Sequence, residues 1–238
     1  MAGNRHHGPD PKRVASVSLI VPVLNERAIV PALLEGLSSL QPPPQEILFC
    51  DGGSEDGTGA QLLARGYRVL RCERGRARQM NAGARAATGD ILVFLHADTR
   101  LPSDAIHRIR TALTTDGALW GRFDVRISGR PAMLLVVAVM MNLRSHLSGI
   151  ATGDQAIFVK RCVFDAIGGY SDQPLMEDIE LSRRLRKRSR PQRISRPALT
   201  SGRRWESRGV WRTIVLMWWL RWAYWRGCPA DLLAERYR

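Results

Sequence analysis

A chain of 238 residues with 45% hydrophobic content can bury one large core, so a single domain with at most a small appendage is expected. Its formal charge of +14 points to anionic partners; nucleic acid, anionic lipid and phosphorylated small molecules all suit that field. The four cysteines (Cys50, Cys72, Cys162, Cys228) make no CxxC pair and no zinc spacing, which argues against a structural zinc site and for a reduced, cytoplasmic chain.

The first 14 residues read as a disordered leader without the apolar stretch of a secretory signal, and their two histidines read as tail residues. SVSLIVPVLNE is then an apolar, β-branched run of the kind a buried parallel strand shows. From Ala28 to Leu40 the apolar positions Ile29, Leu33, Leu34 and Leu37 carry helical spacing, and QPPPQ ends that helix. EILFCDGGSEDGT predicts a second strand entering a Gly-rich turn, with a helix through Gln61 to Arg65. YRVLRC is a short third strand, RARQMNAGARAATG a helix, and DILVFLHAD a fourth strand. This alternation indicates βαβ units and an α/β fold built on a mostly parallel sheet flanked by helices.

Further on, a strand is expected over 121–127, an apolar helix over 132–143, a strand, turn and short helix in AIFVKRCVFDAIGGY, and an amphipathic helix over 177–187. Residues 183–208 hold eleven basic side chains against one acid, Glu206. VWRTIVLMWWLRWAYWRG then packs five of the seven tryptophans among apolar residues and Arg212, Arg221 and Arg226. Two readings of that tail stand side by side: an interfacial helix at an anionic membrane, and a helix capping the core with its Arg residues reaching for water. No apolar run reaches the roughly 18–20 residues needed to cross a bilayer, so a soluble or peripheral chain is expected.

Ligands of open parallel sheets bind beyond the carboxyl ends of the strands. Polar clusters stand at three such ends: Asn25 and Glu26 after the first strand, Asp51 after the second, His96 and Asp98 after the fourth. A dinucleotide-binding reading falls, because the glycines follow the second strand and no GxGxxG follows the first. VPVLNE (21–26), DGGSEDGT (51–58), RARQMNAGARAATGDILVFLHAD (76–98) and MEDIELSRRL (176–185), in this order, resemble inverting family 2 glycosyltransferases of the GT-A fold. The resemblance covers residues 16–205, and within the family the chain looks most like a small bacterial group labelled as related to arsenosugar biosynthesis. It divides the chain into the leader, a GT-A domain over 15–205 and a C-terminal amphipathic helical extension over 206–238.

The resemblance implies a nucleoside-diphosphate sugar donor, a UDP-sugar by preference, and a divalent metal, Mg2+ or Mn2+. It places Pro22, Asn25 and Glu26 around the nucleoside, Asp51 on the base, and Gly52 where the chain must turn beside it. Arg78 and Asn81 would face the ribose or diphosphate. Asp98 would hold the metal, as the second residue of the family's Asp-x-Asp. His96 replaces the first, and metal ligand, diphosphate contact and plain polar residue stay open for it. Asp178 would be the base that takes the acceptor hydroxyl's proton, with Glu177 beside it. Asp154 would touch a sugar hydroxyl. In SGRRW (201–205), Arg204 would meet the diphosphate and Trp205 would stack on the acceptor. Ser201, where processive relatives carry Gln or Arg, argues for transfer of one sugar. The acceptor is expected to be a hydroxyl, with a lipid or polyisoprenoid at the cytoplasmic membrane face as one reading and a soluble molecule as the other. Ordinary structural roles compete for several of these: a turn or cap for Asp51, a turn for Asp154, helix-dipole compensation for Glu177 and Asp178. Two other classes fit less well. No nucleic-acid partner is expected, since no helix-turn-helix, zinc finger or RNA-binding signature accompanies the charge. A nucleotidyltransferase would carry a Gly-rich basic loop where this chain has PVLNERAIV.

Overall fold

The computed structural model describes residues 14–237, so the leader expected over 1–14 lies, except for Val14, outside the described residues. Strand β1 (Val17–Val23) is buried on both faces because alternate side chains enter two different cores. Val17, Leu19 and Val21 join helices α1 (Val30–Ser38) and α4 (Ala105–Thr114) on one side. Ile20 packs with α3 (Arg76–Ala86) and α7 (Glu177–Arg186) on the other. In chain order the elements between α1 and β6 are β2 (Glu46–Asp51), α2 (Thr58–Leu63), β3 (Arg68–Arg71), α3, β4 (Ile91–Phe94), β5 (Thr99–Arg100), α4 and β6 (Trp120–Ser128). They continue through α5 (Met133–Ser148), a 3-10 turn at Gly153–Gln155, β7 (Phe158–Lys160), α6 (Arg161–Ala166), α7 and β8 (Gln192–Ser201). Three helices finish the described chain: α8 (Arg203–Arg208), α9 (Val210–Trp225) and α10 (Ala230–Tyr237).

One eight-stranded sheet runs in the order β3-β2-β1-β4-β7-β6-β8-β5. Its first four strands are parallel, as the βαβ pattern required. β7 is antiparallel to both β4 and β6, and β5 to β8, so the sheet as a whole is mixed. The parallel half therefore ends at β4, and a different layout begins beside it.

Several elements carry no clear signal in the sequence. β8 lies inside the segment that shows only a basic stretch; it is parallel to β6, with Ile194 and Ala198 buried. Its register with β6 slips between Phe123 and Val125, which leaves Pro197 in an irregularity where no ladder N–H is needed. Arg193 stays on this strand because two of its guanidinium donors reach Asp124, at 2.7–3.1 Å. α5 runs to Ser148, beyond the expected 143, and β7 passes straight into α6 without a turn. α8 begins at Arg203, so a helix crosses the expected 205/206 boundary. The last two helices are docked on the body. Leu220, Ala223 and Leu233 are buried against Met176, and Val210 and Ile214 pack with Ile127, Leu134 and Val137.

Candidate active site

The carboxyl ends of β1 and β2 are tied together from below by Gln79, whose amide donates to Val23 O and Cys50 O at 2.8 and 2.7 Å. Gly52 lies over that amide, and a Cβ there would stand 3.0 Å from Gln79 Cδ, so a side chain at 52 would press on the amide that ties the two strands. Asp51 Oδ1 accepts from Gly53 N, Ser54 N and Ser54 Oγ at 2.7–3.1 Å and thereby shapes the loop. The turn role open to Asp51 is thus real for one oxygen, while Oδ2 faces Gly59. Asn25, in the left-handed region at φ 54, links the two loops. Its N–H donates to Ser54 Oγ and its Oδ1 accepts from Glu55 N, each at 2.9 Å. Glu26 N donates to Thr58 Oγ1, and Pro22 is in register with Cys50 on the neighbouring strand.

A second group gathers beyond β4. His96 Nδ1 lies 3.3 Å from Asp154 Oδ1. The imidazole's other edge abuts Gly153 so closely that any Cβ there would strike Nε2 and Cε1. Gly153 N in turn donates to Asp178 Oδ2 at 2.8 Å, and Asp178 Oδ1 accepts from Ile179 N at 2.7 Å. One glycine therefore spaces the β4 end from the first turn of α7. Glu177, buried beside Asp178, is 3.6 Å from the Arg76 guanidinium.

Charge organises this group. Burial, reinforced by Asp178, raises the Glu177 carboxyl above its usual range against the pull of Arg76. Burial also raises Glu26, opposed by Arg203, whose guanidinium is 3.7 Å away, and reinforced by Asp98. For Asp154 burial acts upward, yet the His96 contact and the charges of His96, Arg76 and Arg204 hold it below its usual value. Arg76 is surrounded by Glu177, Asp154, Asp178 and Asp98, which outweigh its desolvation. Arg204 feels Asp154 and Asp98 as well, and its guanidinium lies 4.5 Å over the Tyr237 ring. Asp98, Asp154, Glu177 and Asp178 thus all act on Arg76, and Asp98 and Asp154 act on Arg204 as well.

Three expected site residues lie elsewhere. Arg78 is spent on Asp172, with Nε at 2.8 Å, and on Glu73 at 3.1 Å. Asn81 holds the Tyr170 backbone, accepting from its N–H and donating to its C=O at 2.9 and 2.8 Å. Trp205 packs into the apolar cluster of Ile127, Leu134 and Val137 in place of an open stacking position. Arg76 is the residue that sequence reasoning missed. It stands two positions before Arg78, so the two project from opposite sides of α3, and only the acids at 177 and 172 decide which turns inward. Gly153 and Arg203 lie beside the expected residues Asp154 and Arg204, with no role of their own expected from the sequence.

Among the described residues no three His, Cys, Asp or Glu side chains converge as a metal cage. The donor set instead fits a hard cation that arrives with a diphosphate, since such ions are held by one or two carboxylates plus substrate phosphates. Asp98, just past the end of β4, is the carboxylate that could serve in this way, whereas His96 Nδ1 lies 3.3 Å from Asp154 Oδ1.

Comparisons with known proteins agree with this layout. The family model described as glycosyl transferase family 2 matches residues 18–161. A beta-monoglucosyldiacylglycerol synthase of Synechocystis sp. is 29% identical over 190 residues, 71% of this chain and 40% of that protein. A PGL/p-HBAD biosynthesis glycosyltransferase of Mycobacterium bovis is 30% identical over 173 residues, 65% of this chain and 62% of its own length. This chain therefore spans between two fifths and two thirds of these relatives. Among solved structures, the mannosyltransferase from Pyrobaculum calidifontis in complex with GDP-Man and Mn2+ superposes with a TM-score of 0.58 at 23% identity, covering 84% of this chain and 60% of that one. S. aureus TarS 1-349 in complex with UDP-GlcNAc gives 0.64 at 16% identity, covering 78% and 58%. At such identities the structures share the fold, and the fold is GT-A.

Proposed function

The chain belongs to glycosyl transferase family 2, and from that premise we propose that it moves one sugar from a nucleoside-diphosphate sugar, a UDP-sugar by preference, to an acceptor hydroxyl with inversion at the anomeric carbon. The observation that carries this reading is the convergence of Asp98, Asp154 and Asp178 with Arg76 and Arg204 beyond β4. In the single displacement the acceptor oxygen bonds to the anomeric carbon as the bond to the β-phosphate oxygen breaks. The acceptor proton passes to Asp178, and the nucleoside diphosphate leaves. Two backbone N–H groups fix the Asp178 carboxylate and leave lone pairs to accept that proton. Asp51 Oδ2 and the loops at Pro22, Asn25, Glu26 and Gly52 receive the nucleoside. Arg76 and Arg204 lie against the diphosphate, where guanidinium groups bind well. Asp154, held by His96, orients a donor hydroxyl. Asp98 would hold Mg2+ or Mn2+, which when bound offsets charge on the leaving diphosphate. The acceptor is a lipid or polyisoprenoid hydroxyl met at the cytoplasmic membrane face; the diacylglycerol named for the Synechocystis relative supports this choice.

Thermal melts with nucleoside diphosphates and their sugars, with and without Mn2+, test the reading. At about 100 times its Kd, a ligand of the native state adds about 2.7 kcal/mol. One nucleotide should raise the melting temperature in a metal-dependent way, and Asp98→Ala should lose the shift. Asp178→Asn should keep the shift while transfer falls by roughly 100-fold or more. No shift with any nucleotide, or normal transfer by Asp178→Asn, overturns the proposal.

A further inference from the structure

Two helices expose long apolar faces. On α5, Leu135, Val136, Val139, Met140, Leu143 and Leu147 are each about half exposed or more. They recur at helical spacing, and no charged residue interrupts 133–143. On α9, Trp211, Val215, Trp218, Trp222 and Trp225 form one stripe, 57–76% exposed. The two stripes flank a common seam, because Leu134, Val137 and Ala138 of α5 are buried with Val210 and Ile214 of α9. Exposed apolar patches of this extent mark an interaction surface.

Charge on α9 identifies the occupant. The helix has two arginines and no acid, and Arg226 caps its C-terminus; 100° per residue puts Arg212 and Arg226 on one flank of the Trp stripe and Arg221 on the other. Arg226 also lies over the Trp222 ring, 5.8 Å from its centroid. An apolar stripe with tryptophans at its centre and arginines on both flanks matches the boundary of an anionic bilayer, where indoles sit at headgroup depth and guanidiniums reach the phosphates. Sixteen residues make a helix of about 24 Å, too short for a hydrocarbon core of about 30 Å. Its opposite face is already buried against Met176 and Leu233. Such a helix lies in the plane of a membrane.

We propose that the joined faces of α5 and α9 dock the protein on an anionic phospholipid surface. Docking also sets the orientation of the active site, since Leu220 and Ala223 of α9 are buried with Met176, the residue before Glu177 and Asp178. The docked helix thus packs directly against the residue that precedes the first turn of α7, where the base stands. The choice of a lipid surface over another apolar partner draws on the proposed lipid acceptor; the docking itself is measured without turnover.

Co-sedimentation of the full chain with vesicles of phosphatidylglycerol and of phosphatidylcholine tests it. Binding is expected to phosphatidylglycerol and to weaken with salt. Replacing Trp211, Trp218, Trp222 and Trp225 by Ser should weaken it by roughly tenfold or more. These side chains are exposed, so the melting temperature should hold. Arg212→Gln, Arg221→Gln and Arg226→Gln together should cost roughly 100-fold on anionic vesicles, at about 1 kcal/mol each. No vesicle binding, binding indifferent to the Trp substitutions, or a dimer that the same substitutions dissolve would each overturn the proposal. If the vesicles bind as expected but nucleoside diphosphate melts show nothing, docking stands and the transferase reading fails.

Discussion

The two halves of the sheet hold their functional groups differently. On the β1 and β2 side the groups are set by just two loops at the ends of adjacent strands: Asp51 by Gly53 and Ser54 of its own loop, Asn25 by the same loop after the next strand. Beyond β4 the groups come from distant segments. Asp154, Asp178, Arg76 and Arg204 meet only because a 3-10 turn, α7, α3 and α8 converge. A nucleoside needs a site that short motifs can shape, whereas transfer needs atoms from several elements in one place. Displacing the base in the second half should accordingly cost more in activity than in nucleotide binding.

The hardest test of that contrast is Gly153→Ala. The new methyl strikes the His96 ring, and relieving the clash moves the backbone N–H that holds Asp178. Because a displacement of about 1 Å can cost roughly 100-fold, the transfer rate should fall by about that factor. Nucleoside diphosphate affinity, read by calorimetry, should stay within about threefold of the parent if the donor loops are independent. A parallel loss of binding would mean that the two halves act as one unit.

A smaller effect separates the arginines of α3. Arg76→Gln should weaken nucleoside diphosphate binding by about 10- to 100-fold, since hydrogen bonds to charged groups are worth about 1.5–3 kcal/mol. Arg78→Gln removes an exposed pair with Asp172, worth about 0–1 kcal/mol, and should leave binding near the parent value. The reverse ranking in a titration series would return Arg78 to the diphosphate and refute the assignment made from the ion pairs.

Legibility in the sequence divides along the same line. The parallel half is legible because strand burial and helix periodicity are local: Leu19 and Ile20 alternate between two cores, and Leu33, Leu34 and Leu37 share one face of α1. The strand-end residues Glu26, Asp51 and Asp98 are legible for the same reason. β8 is not, because its arginines and proline deny it an apolar alternation, and a distant aspartate, Asp124, is what holds Arg193 in the sheet. Arg76 is not, because residues two apart on a helix look equivalent until their partners are known. Trp205 joins a packed cluster in place of an open stacking position, and the helix after it, for which a capping and an interfacial reading both stand, is anchored to the body on one face and bare on the other.

The smallest expected effect distinguishes two carboxylates within the second half. Glu177 has a raised pKa in the folded state, so the native protein holds its proton more tightly than the unfolded chain does. Its contribution to stability is then fully present below about pH 4.5 and is lost as the pH rises through the folded value. Glu177→Gln cannot titrate, so at neutral pH it should melt at or above the parent, by a few degrees at about 2–4 °C per kcal/mol, and the difference should close on acidification. Asp154 is shifted the other way by His96, Arg76 and Arg204, and its stabilisation exists above about pH 3.9 and fades below it. Asp154→Asn should therefore melt below the parent at neutral pH, with a smaller gap because its carboxylate is partly exposed. Differential scanning calorimetry between pH 3 and pH 8 would read both. Equal signs for the two variants would mean that Arg76 serves Glu177 and Asp154 alike, and that the acidic cluster is held as a single charge balance and not as a buried acid beside an exposed, paired one.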